Sequence, residues 1–162
     1  MQARPDSDAR EAPESRMSVI RTRPTLAAAK TLLESVDLPV ADLTEEHCEH
    51  FFYWGPPASP TGLVGLELFR DVALLRSLVV NPASRSSGMG SALVRYAEHY
   101  AQAQGVHTLF LLTTTAEGFF ARHGYSKAER EAAPPAIRST REFAGICPAS
   151  SAFLSKQLQG VR

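Results

Sequence analysis

The sequence predicts one mixed α/β domain, and three observations carry that prediction. Short strand-like apolar runs alternate with helix-period runs from Met17 onward. The chain has 162 residues, of which 44% are hydrophobic, which suits one core rather than two. Two apolar runs, 63–69 and 72–80, are separated only by Arg70 and Asp71. They predict an antiparallel hairpin early in the fold.

The first sixteen residues differ from the rest in composition. Seven of them are charged, two are proline, and none is aromatic or β-branched. Such a segment buries too little apolar surface to offset the entropy lost on ordering. We therefore expect a disordered leader at 1–16 and a globular domain at 17–162.

The helix and strand signals follow in order. Thr25 precedes apolar residues at helical spacing and predicts a helix N-cap, and Thr44 begins a short segment with acidic residues in its first turn. The other predicted strands are 18–23, 50–54, 108–113, a strand beginning at 125, and 151–158; the other predicted helices are 91–104, 116–123 and 135–143.

Charge and hydropathy exclude several classes of protein. Lys and Arg together number 17, as do Asp and Glu, and this balance argues against a nucleic-acid binder or a polybasic membrane-surface protein. No apolar run reaches the roughly 20 residues that span a bilayer. Cys48 and Cys147 form no C-x-x-C pair. We expect a cytoplasmic monomer or homodimer with free thiols, bound to neither nucleic acid nor membrane.

The most informative segment is the loop that follows the strand at 72–80. Gly88 and Gly90 let a ligand approach the backbone closely, and the next helix begins with unpaired N–H groups and a positive dipole end. Arg85, Ser86 and Ser87 add donors. The loop predicts a phosphate site. It lacks the Lys of the P-loop and the third glycine of the dinucleotide fingerprint.

What remains is the pattern R-x-x-G-x-G at 85–90, with Val-Asn-Pro at 80–82 before it. It resembles the coenzyme A pyrophosphate loop of the GNAT-family N-acetyltransferases. The stretch 116–125 is similar to the family's helix along the pantetheine arm, and the resemblance covers most of 17–158. It implies a mixed central sheet with helices on both faces and a splayed strand pair. It also implies acetyl transfer from acetyl-CoA to a small primary amine.

The resemblance implies a set of cofactor-binding residues. The backbone amides of Leu78 and Val80 are expected to pair with the pantetheine arm, and the amides of 86–91 to hold the pyrophosphate. The full set is Leu78, Val79, Val80, Arg85, Ser86, Ser87, Gly88, Met89, Gly90, Ser91, Phe119 and Phe120.

Four further blocks, at 65–80, 111–117, 135–143 and 147–150, look like the ArsN-type acetyltransferases associated with arsenic resistance. This resemblance implies detoxification of an arsenical or an amino-acid analogue. Direct binding of arsenite is a separate alternative. It would need three converging thiolates, whereas the chain has two cysteines.

The chain departs from the family at two positions. Leu74 stands where many members have a Glu base, and Phe120 where many have a Tyr acid. Two alternatives remain. In the first, the chain is an enzyme whose acceptor needs little base or uses Glu67 or Glu117 as a base through water. In the second, the chain is a non-catalytic acyl-CoA-binding module or sensor.

Arg76 is the main candidate for substrate contact, because a charge inside an apolar strand needs a partner or a cleft. We expect it to hold a substrate oxyanion, with Glu67 as the other catalytic candidate. The alternative is a pair with Glu67 across the hairpin or a solvent-facing edge. The predicted substrate-binding residues are Arg138, Thr140 and Glu142, and the spacing of Arg138 and Glu142 also allows a solvated ion pair.

We expect no metal site. His47 and His50 lie within one helical turn, and the sequence shows no second cluster of ligands near them. A solvated helix end explains these two histidines.

Overall fold

The computed structural model describes residues 19–85, 87–146 and 150–158, so the leader at 1–16 lies outside the described residues. Seven strands form one mixed sheet in the order β1-β2-β3-β4-β5-β7-β6. They are β1 Arg21–Thr22, β2 Phe51–Trp54, β3 Gly62–Phe69, β4 Val72–Val80, β5 Thr108–Thr113, β6 Ser126–Lys127 and β7 Ala152–Gln157.

Among the strands of the described residues, β4 and β5 form the only parallel pair, which is also the shortest pairing between long strands. It comprises three residue pairs and ends at Leu74 opposite Phe110. Beyond that point β5 remains paired with β7 up to Thr113, and β4 remains paired with β3 up to Val80. The two strands therefore diverge and open a cleft in the middle of the sheet.

Five α-helices flank the sheet in the described part of the chain. They are α1 Leu26–Glu34, α2 Glu45–Cys48, α3 Met89–Ala103, α4 Glu117–Arg122 and α5 Pro135–Arg138. The predicted cap is present, since the Thr25 hydroxyl accepts from the N–H of Ala28 at 3.1 Å. Thr44 caps α2 in the same way, its hydroxyl accepting from the N–H of His47. Short 3₁₀ turns cover 82–84 and 130–132, and a wide turn covers 142–146.

The core lies on both faces of the sheet, because side chains alternate along each strand. In β4, Leu75 packs into the cluster under α3, with Leu93 and Leu109. On the opposite face, Leu74 packs with Ile137 of α5. Residues of β2 and β3 on that same face pack against α1. The expected mixed sheet with helices on both faces is confirmed.

One predicted element is wrong. The expected helix at 135–143 ends at Arg138. The Thr140 hydroxyl donates to the carbonyl of Ile137 at 2.7 Å and accepts from the N–H of Phe143 at 3.2 Å. These local bonds compete with the helical ladder and turn the chain.

The close packing of Gly65 in β3 against the ring of Phe51 gives a stability prediction. A Cβ on Gly65 would lie 2.3 Å from the ring of Phe51, which is fully buried. We predict that Gly65→Ala lowers the free energy of unfolding by about 1–3 kcal/mol, measured by urea denaturation. Gly118→Ala is the control, because its Cβ would meet only Arg122, at 3.7 Å. Equal midpoints for both variants would contradict the packing argument.

Candidate functional site

A β-bulge shapes the β4 side of the cleft. Gly65 pairs with Arg76 and Leu63 with Val79, so Ser77 and Leu78 together face one residue of β3. Ser77 has a φ of 60°, a conformation that costs energy for a residue with a side chain. A bulge of this kind bends its strand and interrupts the pairing. Here it turns the end of β4 away from β5.

The cleft between the diverging strands has a volume of about 900 Å³. Ten of the predicted cofactor-binding residues line it: Leu78, Val79, Val80, Arg85, Gly88, Met89, Gly90, Ser91, Phe119 and Phe120. Ser87 is outside this lining and donates to the carbonyl of Ser84 at 2.6 Å, and Ser86 lies outside the described residues. Ala116 and Arg122, from the stretch expected along the pantetheine arm, also line the cleft, and two further lining groups, 36–39 and 113–115, were not expected to do so.

The N-terminus of α3 opens into this cleft. Its N-cap is Gly88, with a φ of 85°, so the cap residue has no side chain to accept from the first-turn N–H groups. The preceding loop is held by its own bonds, since the Asn81 side chain accepts from the N–H of Ala83 at 2.9 Å and Arg85 Nε donates to the Val80 carbonyl at 3.1 Å. A fixed loop before an uncapped 15-residue helix has the geometry of an anion site.

Backbone donors of β4 face the open edge of the strand. The N–H of Asn81 donates toward β3, to the carbonyl of Thr61, at 2.8 Å. Because N–H groups alternate in direction along a strand, those of Val80 and Leu78 point the other way, into the cleft. Two adjacent donors on the open edge can pair with an extended ligand.

The α4 side of the cleft is aromatic and rigid. The Phe120 ring is buried and meets the Tyr125 ring edge-on at 5.5 Å. The Tyr125 hydroxyl donates to Glu98 at 2.9 Å, and burial together with Glu98 raises the pKa of Tyr125 far above its usual range. Tyr125 is not among the residues that line the cleft, so its phenol does not replace the one absent at Phe120.

His123 joins α4 to the start of α3. It is the C-cap residue of α4. Its Nε2 lies 2.9 Å from the hydroxyl of Ser91, and its ring lies 4.7 Å from that of Phe119. Burial lowers the pKa of His123. A neutral ring therefore holds the two cleft-lining helices together.

Arg76 lies at the apex of the cleft, which is the end where β4 and β5 separate. Its guanidinium is fully buried among three carboxylates. Nη1 donates to Asp42 at 2.6 Å and to Glu67 at 2.7 Å. Nη2 donates to the other Asp42 oxygen at 3.0 Å and pairs with Glu142 at 3.0 Å. Nε donates to the hydroxyl of Ser77 at 3.0 Å.

These contacts favour the alternative to the expectation that Arg76 holds a substrate oxyanion, and that expectation stays a prediction. A guanidinium has five N–H donors, and all five of Arg76 have protein acceptors. Burial opposes the charge, yet the bonds to Asp42 and Glu67 and the charge of Glu142 raise the pKa of Arg76 above its usual value. The alternative expected from the sequence, a pair with Glu67, is present together with two carboxylates that the sequence did not reveal.

The predicted substrate-binding residues separate in the structure. Glu142 lines the cleft. Arg138 turns away, because its Nε donates to the carbonyl of Ala133 at 3.2 Å and its Nη2 to that of Glu131. The hydroxyl of Thr140 is engaged in the turn described above. The Glu142 carboxylate pairs with Arg76 rather than in the solvated pair with Arg138 that the spacing also allowed.

The structure brings together a group of possible metal ligands around His47 that the sequence did not show. Asp42, His47 and Glu67 bring possible metal-ligating atoms within 4.8 Å of one another. Nη1 of Arg76 lies within 2.7 Å of both carboxylates, so a guanidinium already occupies the cation position. The expectation that the protein uses no metal stays a prediction.

Comparison with known proteins decides the family. A model described as "Acetyltransferase (GNAT) family" matches residues 20–126, two thirds of the chain. The chain belongs to the acetyltransferase (GNAT) family. The divergence of β4 and β5 and the site at the start of α3 lie within the matched region.

Individual proteins that are similar to this GNAT chain match only part of it. It is 34% identical over 93 residues to an uncharacterized N-acetyltransferase of Chlorobaculum tepidum, covering 57% of this chain and 59% of that one. It is 39% identical over 73 residues to an amino-acid acetyltransferase of Pseudomonas fluorescens, covering 45% of this chain and 17% of that one. The chain thus spans less than two thirds of either relative.

The fold matches that of N-acetylglutamate synthase from Neisseria gonorrhoeae, solved with coenzyme A and N-acetyl-glutamate. The TM-score is 0.71 at 23% identity, over 86% of this chain and 35% of that one.

Among the described residues of the GNAT chain, no helix is long and apolar enough to cross a membrane.

The buried charges at Arg76 give a stability prediction. Removing the guanidinium leaves three carboxylates together without their common partner, which for a buried pair costs about 3–5 kcal/mol. We predict that Arg76→Ala lowers the free energy of unfolding by that amount at pH 7. Arg95→Ala, at an exposed position of α3, is the control and should stay near wild type. An Arg76 variant as stable as the control would show that the cluster contributes nothing to stability.

Asp42 gives a prediction about pH. Burial is the largest single influence and raises its pKa, but the hydrogen bond to Arg76, the charges of Arg76 and His47 and a backbone hydrogen bond together outweigh it, and the net result is a pKa below the usual 3.8. A carboxylate with a lowered folded-state pKa contributes stability that is complete above the unfolded value and lost as pH falls below it. We predict that the difference in urea midpoint between wild type and Asp42→Asn is large at pH 7 and shrinks below pH 3.8. A difference that is constant from pH 7 to 3 would contradict it.

Proposed function

We propose that this protein transfers an acetyl group from acetyl-CoA to the primary amine of a small molecule. The observation that carries the proposal is one continuous cleft. It runs from the open N–H edge of β4, at Leu78 and Val80, to the uncapped start of α3 at Gly88. An extended pantetheine arm suits the strand edge, and a pyrophosphate suits the helix start.

In the proposed reaction the acceptor nitrogen attacks the thioester carbonyl carbon. The new C–N bond forms as the C–S bond breaks, coenzyme A leaves as thiolate, and the amine releases its proton to solvent. The amides of Leu78 and Val80 would polarise the carbonyl. A free thiol has a pKa of about 8.5, so the thiolate can leave with little help from an acid.

The base positions named in the sequence analysis do not supply a strong base at the proposed reaction centre. Leu74 is fully buried in the core. Glu67 lines a smaller cavity of about 320 Å³ beside His47, and the Glu117 side chain is 47% exposed and pairs with Lys127. We therefore propose that positioning and polarisation supply most of the rate, with Glu67 in a structural rather than a catalytic role.

The finer proposal concerns the acceptor. The ArsN-type resemblance favours an arsenical amine or an amino-acid analogue. The similarity to proteins named amino-acid acetyltransferases supports an acceptor of similar size. A non-catalytic acyl-CoA-binding module is the second candidate, favoured by the residues at positions 74 and 120.

Gly90 offers the sharpest test of the cofactor assignment. Its backbone has no positive φ, and a Cβ would meet only ordinary contacts, with Phe119 at 3.6 Å and Val80 at 3.7 Å. Gly88 has a φ of 85°, so substituting it would confound strain with binding. We predict that Gly90→Asp weakens acetyl-CoA binding at least tenfold by calorimetry, because its carboxylate repels the pyrophosphate.

Gly90→Asn is the matched control and should weaken acetyl-CoA binding less than Gly90→Asp, because it lacks the charge. Equal affinity of wild type and Gly90→Asp would refute the loop assignment. A thiol-release assay on a panel of small amines then separates the two candidate functions. Binding of acetyl-CoA without turnover of any amine would favour the non-catalytic module.

A further inference from the structure

We propose that the acceptor amine binds at the apex of the cleft, between the hydroxyl of Ser151 and the carboxylate of Glu142. We propose also that the acceptor presents no carboxylate or other oxyanion there. This inference rests on the proposed function and narrows its acceptor to a primary amine that carries no oxyanion beside the nitrogen, which sets aside the amino-acid analogue named above.

The first observation is an unsatisfied hydroxyl. Ser151 is 5% exposed, and its Oγ is the one buried side-chain oxygen or nitrogen among the described residues that has no hydrogen-bond partner. It lines the same cleft as Glu142. A buried hydroxyl without a partner costs free energy. A ligand N–H donor at this position would remove that cost.

The second observation is that neighbouring contacts hold both groups in place. Arg130 donates to the backbone carbonyl of Ser151 at 2.8 Å, and its guanidinium lies over the Phe143 ring at 5.5 Å. Phe143 follows Glu142 directly. Thr140 fixes the same turn, and Arg76 holds the Glu142 carboxylate at 3.0 Å. A site built this way is rigid before a ligand arrives.

The third observation is that the cleft crosses the sheet. Leu75 points to the face of α3, so Arg76 points to the opposite face. Leu112, Val36 and Leu38 pack against the clusters of that opposite face and also line the cleft. Apolar walls therefore accompany polar groups in this cleft, whose lining includes Asp37, Ser77 and Thr113 besides Ser151 and Glu142.

The fourth observation concerns cations. The five donors of Arg76 are engaged, as described above. The other arginines that line the cleft in the described chain are Arg85 and Arg122. They lie in the phosphate loop and on α4. An acceptor carboxylate beside the amine would therefore face Glu142 without a guanidinium donor to pair with.

The test uses pairs of acceptors that differ only in the α-carboxylate: tyramine with tyrosine, cadaverine with lysine, and histamine with histidine. Thiol release is measured with the full-length protein and saturating acetyl-CoA. We expect kcat/KM to be at least tenfold higher for the decarboxylated amine of each pair that turns over. Higher kcat/KM for the amino acids would overturn the inference and leave the proposed acetyltransferase function intact.

The variants are Ser151→Ala and Glu142→Gln, with Ser139→Ala as the control because its exposed hydroxyl bonds only the Pro135 carbonyl. We expect KM for the best amine to rise roughly three- to tenfold in Ser151→Ala and roughly ten- to a hundredfold in Glu142→Gln. Affinity for acetyl-CoA and the thermal midpoint of Ser151→Ala should remain at wild-type values. Unchanged KM in both variants would overturn the site.

Calorimetric titration of the same amines into protein saturated with coenzyme A gives a readout that does not depend on turnover. Binding by wild type that is weakened in Ser151→Ala supports the site even if acetyl transfer fails. Equal binding by both proteins would overturn the site. Absence of turnover with every amine would instead refute the proposed function.

Discussion

The early end of the parallel pairing between β4 and β5 is the constraint on which the rest of the structure depends. Three residue pairs hold these strands together, and the bulge at Ser77 bends β4 away immediately afterwards. Backbone groups on the two diverging edges then lack strand partners. Buried N–H and C=O groups need partners, so an open sheet of this kind is complete only with a ligand or water between its edges.

The carboxylate cluster fixes the geometry at the apex of this opening. Arg76 of β4 binds Asp42 from the loop before α2, Glu67 of β3 and Glu142 of the turn after α5. Burying four charges is expensive, and apolar residues of similar volume often give equal or greater stability. The cluster supplies directional bonds that an apolar core lacks. These bonds fix the positions of three separate segments around the cleft.

The sequence predicted the elements whose signals are local. The hairpin at 63–80 and the helix after Gly88 follow from alternation, short turns and glycine positions. Of the partners of Arg76, Glu67 was an alternative that the sequence offered, whereas Asp42 could not be predicted, because it is 34 residues away in a segment with no regular pattern. The helix expected at 135–143 failed for a different reason. Its apolar spacing suited a helix, but one hydroxyl, that of Thr140, gave the backbone a better local alternative.

The two ends of the cleft carry opposite charge, and this difference determines which substrate of the proposed reaction binds at which end. The phosphate end offers helix N–H groups and Arg85, whereas the apex offers Glu142. A phosphate beside a carboxylate at 4 Å is repelled by about 4 kcal/mol at an effective dielectric constant of 20. Coenzyme A phosphates placed at the apex would meet that repulsion, and an ammonium placed at the helix start would meet the dipole. Each substrate is therefore favoured at one end only, and the thioester is brought to the amine where β4 and β5 separate.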